Sequence, residues 1–202
     1  MPDINPRFSD FQEYREAVRD LCSRFGSDYW QRVDGQAAYP EEFVQALTAA
    51  GWLAALIPED YGGGGLGVTE ASVILEEINR SGANSGACHA QMYIMGTLLR
   101  HGSEEQKRRH LPEIAAGRLR LQSFAVTEPT TGTDTTKTRT TAVRRGDTYV
   151  VNGQKVWISR IQHSDLMLLL ARTTPLAEVT KKTGGLSIFL VDLRDAGPRG
   201  MT

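Results

Sequence analysis

Apolar positions in the first half of the chain recur with the period of a helix. Phe11, Tyr14, Val18, Leu21, Cys22, Phe25 and Tyr29 follow at steps of three and four, which lines one helical face. Ser9 and Gln12 predict a capping box at its start. A second helix is predicted after Pro40, a first-turn proline followed by Glu41 and Glu42, with Gly51 closing it. A third is predicted over residues 69–80, ended by Ser81-Gly82, and a fourth over 84–100, stopped by Gly102. Ser103 and Gln106 predict another capping box, and Pro112 a further short turn before Gly117.

Beyond residue 120 the pattern shortens to that of strands. Residues 121–127 alternate into an apolar run, and 138–145 turn at Gly146-Asp147 into 149–151. Asn152-Gly153 is a strong hairpin dipeptide and leads into a strand over 154–159. Leu166–Arg172 and Leu186–Asp192 are two more apolar strands, parted by the polar turn Lys181-Lys182-Thr183-Gly184-Gly185. The predicted fold class is α+β: an antiparallel helical domain over 1–120, then an antiparallel β-barrel or sandwich over 121–202.

Composition sharpens that boundary. Of 18 threonines, 3 lie in the first 120 residues and 15 in the last 82, a shift toward β-branched residues. The formal net charge of −1 hides 12 basic and 17 acidic side chains before residue 121 and 11 and 7 after it. A net positive second half suits an anionic ligand, but it contains no dense basic run of the kind nucleic acid requires. Two cysteines cannot build a disulfide framework, and no apolar run approaches the length of a membrane span. The first ten residues lack a basic-then-apolar signal pattern. These features predict a soluble, intracellular, cytoplasmic protein.

Several motifs invite a bland reading. Gly62-Gly63-Gly64-Gly65-Leu66-Gly67 satisfies G-x-G-x-x-G, but no strand precedes it, so a loop between helices is expected. His89, His101, His110 and His163 have no metal-ligand spacing. Cys88 beside His89 reads as a packed small residue, because adjacent helix residues point apart. Arg108-Arg109 and Arg144-Arg145 read as solvated charges. The segment from Phe124 to Asp134 is different: an apolar strand enters a Pro- and Gly-bearing loop dense with hydroxyls and N–H groups. Such a loop can hydrogen-bond a polar heterocycle and a pyrophosphate, or it can be only a Thr-rich turn; chemistry alone leaves both open. Some thirty residues on, Lys155-Val156-Trp157-Ile158-Ser159 offers an aromatic face and a hydroxyl.

Four segments, in order, resemble the acyl-CoA dehydrogenase family. They are Ile57-Pro58-Glu59-Asp60-Tyr61-Gly62-Gly63; Gly102-Ser103-Glu104-Glu105-Gln106-Lys107 with Leu111-Pro112; Val126-Thr127-Glu128-Pro129 with Gly132-Thr133-Asp134; and Asn152-Gly153-Gln154-Lys155-Val156-Trp157-Ile158-Ser159. The resemblance covers essentially the whole chain. It implies an FAD enzyme that oxidises an acyl-CoA thioester to its 2,3-enoyl form, with the flavin held jointly by the helical and β domains.

Residue by residue, it implies that Phe124 stands beside the flavin and that Val126 and Thr127 meet the pyrimidine end of its ring. Gly132 and Thr133 fall near the pyrophosphate, with Thr133 also near the bound thioester. Trp157 and Ile158 lie along the ring, and Ser159 replaces a common Thr that reaches N5. Arg160 stands where the family usually has Asn, and Glu128 matches a structural loop position rather than a base. The family's glutamate base lies in a C-terminal helical bundle beyond residue 202, so no catalytic residue is expected within this chain. Expected partners are the acyl-CoA, an electron-transfer flavoprotein and, at full length, further copies of the subunit. The alternatives are a nitroalkane-oxidising or monooxygenase relative, a non-catalytic remnant, or one half of a split flavoenzyme. The chain alone is expected to bind FAD weakly and to be inactive.

Overall fold

In the computed structural model, which describes residues 11–194, the apolar stripe beginning at Phe11 is carried by two helices rather than one. Gly26 lies extended (φ −72°, ψ −177°) between α1 (Gln12–Ser23) and α2 (Ser27–Gly35). The break lets the rings of Phe25 and Trp30 meet Phe43 of α3 (Glu41–Ala49) edge-on, with centroids 5.2 and 5.0 Å apart, while Tyr29 stands edge-on to both Phe25 and Trp30 and accepts a hydrogen bond from Phe43 N at 3.2 Å. The capping box expected at Ser9 lies outside the described residues.

The helices α4 (Val68–Arg80) and α5 (Gly86–His101) close the core of this first unit, Met1–Leu119. Val18, Phe43, Leu47, Ile74, Ile78 and Cys88 are wholly buried in it. A charged cluster crosses the α1–α4 face. Arg15 donates to Glu77 at 2.7 Å and to Glu76 at 2.8 Å, and Arg19 donates to Glu77 at 3.1 Å. Burial alone would raise the pKa of Glu77, whose side chain is 1% exposed, but the two arginines hold it below the usual carboxylate value. Paired from two sides, that carboxylate fixes how α1 sits on α4.

The glycine run is a loop, and its geometry excludes phosphate binding. The N–H groups of Gly63, Gly64 and Gly65 donate to the carbonyls of Pro58, Ala54 and Ile57. Amides already bonded at 2.8–3.2 Å cannot cradle a dinucleotide. Gly63 is there for space: a Cβ would overlap the Ile57 carbonyl and side chain.

Ser103 caps α6 (Glu104–Ala115) as its spacing predicts; Gln106 N donates to Ser103 Oγ at 3.2 Å, and Ser103 N to Gln106 Oε1 at 2.9 Å. Pro112 does not begin a separate turn. The helix runs through it, because Leu111 and Ile114 are both wholly buried and repay the one hydrogen bond proline cannot donate.

Among its described residues the second unit, Arg120–Thr202, has five strands: β1 (Leu121–Ala125), β2 (Thr141–Arg145), β3 (Thr148–Asn152), β4 (Leu166–Arg172) and β5 (Leu186–Asp192). Helices followed by a sheet is the expected order. The expectation of a wholly antiparallel sheet is corrected. β2–β3 and β4–β5 are antiparallel, but β1 pairs β4 in parallel, Phe124 opposite Leu168 and Ala125 opposite Leu169, and β2 meets β4 in parallel at Thr141–Arg172. The described strands form a mixed, sandwich-like sheet and do not close a barrel. β4 has neighbours along both edges, so its continuous apolar run is buried, as interior strands require. The strand expected over 154–159 is absent: β3 ends at Asn152, and Asn152-Gly153 leaves the sheet instead of turning a hairpin.

Candidate functional site

β1 delivers Phe124 and Val126, both half-buried, to a turn closed by reciprocal backbone hydrogen bonds between Glu128 and Thr131, 2.9 and 3.1 Å. The Glu128 side chain turns inward and is 4% exposed. Its carboxylate accepts from Arg139 N (2.8 Å), Thr140 N (2.9 Å), Thr140 Oγ1 (2.6 Å) and Lys155 Nζ (3.0 Å). Lys155, 9% exposed, also donates to the Val126 carbonyl at 2.9 Å. One residue further, Val156 N donates to Thr127 O at 3.0 Å. The two segments singled out in the sequence, 124–134 and 155–159, thus lie side by side in one unit.

Beyond the turn, Arg172 bonds the carbonyls of Thr136 (2.7 Å), Gly184 (3.1 Å) and Thr138 (3.3 Å). A buried guanidinium thereby ties the threonine-rich loop to the end of β4. Gly132 and Thr133 sit exposed on that loop. On the neighbouring segment Ile158 packs against Ala125, Met167 and Leu169, while Ser159 is exposed and the Trp157 indole is 89% exposed. Trp157 and Arg160 both have φ +60°. Left-handed backbone is rare for bulky residues and costs about 1–3 kcal/mol at each position. Arg160 adopts a conformation that Asn, the residue the resemblance implies at this position, enters readily.

The geometry joins Val126 to the Lys155 side chain and Thr127 to the Val156 amide, and seats Ile158 in the sheet core. Phe124 lies half-buried on β1, Gly132 and Thr133 are exposed on the loop after the turn, and Trp157 and Ser159 are exposed on the 155–159 segment. Sequence reasoning missed Lys155 as the partner of Glu128. The available signal was an acidic residue at a strand exit before proline and a lysine set between apolar residues. Cys88 carries no nucleophile: enclosure pushes its thiol pKa up to about 12. Among the described residues, no His, Cys, Asp and Glu group could hold a metal ion, and no helix is long and apolar enough to cross a membrane.

Burial raises and hydrogen bonds lower the pKa of Glu128, and the bonds from Thr140, Arg139 and Lys155 win, placing it at about 2 against an ordinary 4.5. A depressed carboxylate stabilises the fold above its unfolded pKa, and that stability is lost as pH falls through the folded one. The urea midpoint of the sheet unit should therefore drop between about pH 4.5 and 2. In Glu128→Gln this fall should flatten, and an identical fall would exclude Glu128 as its source.

Comparisons with known proteins agree with the motifs. Residues 9–118 match the model of the acyl-CoA dehydrogenase N-terminal domain, and residues 123–202 that of the acyl-CoA dehydrogenase middle domain. Acyl-CoA dehydrogenase FadE26 of Mycobacterium tuberculosis is 41% identical over 179 residues, 89% of this chain and 42% of that protein. The crystal structure of acyl-CoA dehydrogenase from Geobacillus kaustophilus superposes with a TM-score of 0.83 at 28% identity, over 96% of this chain and 50% of that one. The ChsE4–ChsE5 complex of Mycobacterium tuberculosis gives 0.78 at 34% identity, over 96% and 49%. The chain spans about half the length of these relatives. With both family models in sequence over nearly its whole length, the chain belongs to the acyl-CoA dehydrogenase family, whose N-terminal and middle domains it carries.

Proposed function

We propose that this chain supplies the flavin-facing part of an FAD-dependent acyl-CoA dehydrogenase, with residues 1–120 as its helical domain and 121–202 as its middle domain. The observation that carries the reading is the main-chain junction of Thr127 with Val156, locked by Glu128 and Lys155. It sets a hydroxyl-rich loop beside an exposed indole, the surface a planar, polar heterocycle with a diphosphate tail requires. Phe124, Val126, Thr127, Trp157, Ile158 and Ser159 would hold the ring, and Gly132 and Thr133 the diphosphate, with Thr133 also near the thioester.

When bound, FAD supplies a hydride acceptor for α,β-dehydrogenation of an acyl-CoA. The chain's own residues would orient the ring and donate hydrogen bonds to it from Thr127 and Ser159, with Ile158 anchoring their segment in the sheet core. None of them is assigned as the base that removes the α-proton; in the family's pattern that group lies past residue 202. General-base catalysis contributes about 10²- to 10⁴-fold, so the 202 residues alone should show no turnover. An electron-transfer flavoprotein is the proposed electron acceptor, and homo-oligomers the proposed full-length state.

Titration of the 202-residue chain with FAD, read by flavin fluorescence, tests the reading. Weak but saturable binding that is lost in Trp157→Ala is expected. No saturable binding, or binding indifferent to Trp157→Ala, would refute it. A second reading, a chain that works with a different partner chain, draws on the two-protein ChsE4–ChsE5 relative and on the exposed Val143, Tyr149, Val150 and Val151 of β2 and β3. Native mass determination separates the two, since a homo-oligomer contains one polypeptide and the alternative two.

A further inference from the structure

We propose that the buried Glu128–Lys155 pair is a clamp that keeps residues 155–157 out of strand conformation and presents the Trp157 indole outward, making both side chains positioning residues for a planar ring. The identity of that ring as a flavin rests on the function proposed above; the clamp does not.

Local sequence favours a different structure here. Asn152-Gly153 followed by Gln154, Lys155, Val156, Trp157, Ile158 and Ser159 is a hairpin signal leading into a run of β-forming side chains, Val156-Trp157-Ile158. The chain nevertheless leaves the sheet at Asn152. Trp157 adopts φ +60° with its side chain 89% exposed, although a bulky apolar residue prefers neither. A conformation disfavoured twice over persists only where the surroundings fix it.

The restraints lie on both sides of Trp157. Ahead of it, Lys155 Nζ is 2.9 Å from the Val126 carbonyl and 3.0 Å from Glu128 Oε1, and Val156 N is 3.0 Å from Thr127 O. Behind it, Ile158 is seated against Ala125, Met167 and Leu169. With Lys155 turned in and Ile158 turned in, two residues that a strand would place three apart on opposite faces, the residue between Val156 and Ile158 is forced outward. Glu128 is itself immobilised by three donors from Arg139 and Thr140. Gly153 completes the approach, because a Cβ there would overlap the Thr140 side chain that bonds Glu128. Both ions are enclosed, so salt screens their attraction little.

Hydrogen exchange on the flavin-free 202-residue chain tests the clamp. In Lys155→Met the Val156 amide should exchange about tenfold faster or more, the scale of one lost charge-assisted hydrogen bond. Amides of the β4–β5 ladder, such as Leu168 and Leu190, should keep their rates. Riboflavin and FAD should lose affinity by the same factor, because the clamp places the ring and not the diphosphate. Should Lys155→Met fail to fold, Glu128→Gln removes the charge while retaining a carbonyl acceptor, and the same amide is read. Unchanged Val156 exchange would overturn the proposal, as would protection lost equally across β4 and β5. Absence of flavin binding by the unaltered chain would count against the proposed function, and the exchange rates would still decide the clamp.

Discussion

Glu128→Ala should lower the unfolding free energy of the sheet unit by about 3–5 kcal/mol, the usual cost of removing one partner from a buried ion pair. The substitution leaves the Lys155 ammonium, 9% exposed, with the Val126 carbonyl as its remaining partner. It also removes the acceptor of the Arg139 and Thr140 amides and of the Thr140 hydroxyl. Each unsatisfied buried donor adds its own desolvation cost. Urea unfolding followed by circular dichroism measures the loss. Glu128→Ala combined with Lys155→Met should recover part of it, because the stranded charge is gone. A loss below about 1 kcal/mol would mean that water replaces the carboxylate at no cost.

Phe43→Ala should cost the helical unit a similar amount, about 3–5 kcal/mol. Phe43 is wholly buried, and the rings of Phe25 and Trp30 stand edge-on to it at 5.2 and 5.0 Å. Truncation removes the transfer free energy of the ring and both aromatic contacts, and leaves a cavity that the two large, rigid neighbours cannot fill by small shifts. Phe43→Leu keeps most of the volume and should cost markedly less. Equal losses for the two variants would place the effect in the aromatic contacts rather than the cavity.

Elements whose stability is local were legible in the chain. β4 and β5 run over the residues their apolar pattern marks, and the Ser103–Gln106 capping box forms as its spacing predicts. Where distant groups decide, local reading failed. Nothing near Asn152 announces that Lys155 will be drawn to Glu128, 27 residues earlier, so a strand was expected where the chain is irregular. The parallel pairing of β1 with β4 joins segments some 45 residues apart, and strand patterns do not specify direction. The α1–α2 break at Gly26 serves the aromatic cluster around Phe43, which lies outside the window of helix periodicity. The candidate site divides in the same way. Its segments are marked by motif, but the buried carboxylate that brings them together is recognisable only once its four donors are in place. Arg15 is a parallel case: a charge on the apolar stripe of α1 whose partners, Glu76 and Glu77, lie on α4.

The two thiols give the molecule a clock for one of its halves. Cys22 and Cys88 are the only cysteines in 202 residues, and both are enclosed among the helices of the first unit. A maleimide reaches them only after those helices part, and the sheet unit has no thiol to contribute a background. At high reagent concentration the labelling rate becomes the opening rate itself. At low concentration it becomes the equilibrium population of the opened helical unit. One unmodified sample therefore yields both the frequency and the free energy of helical opening, with no engineered probe and no signal from the sheet.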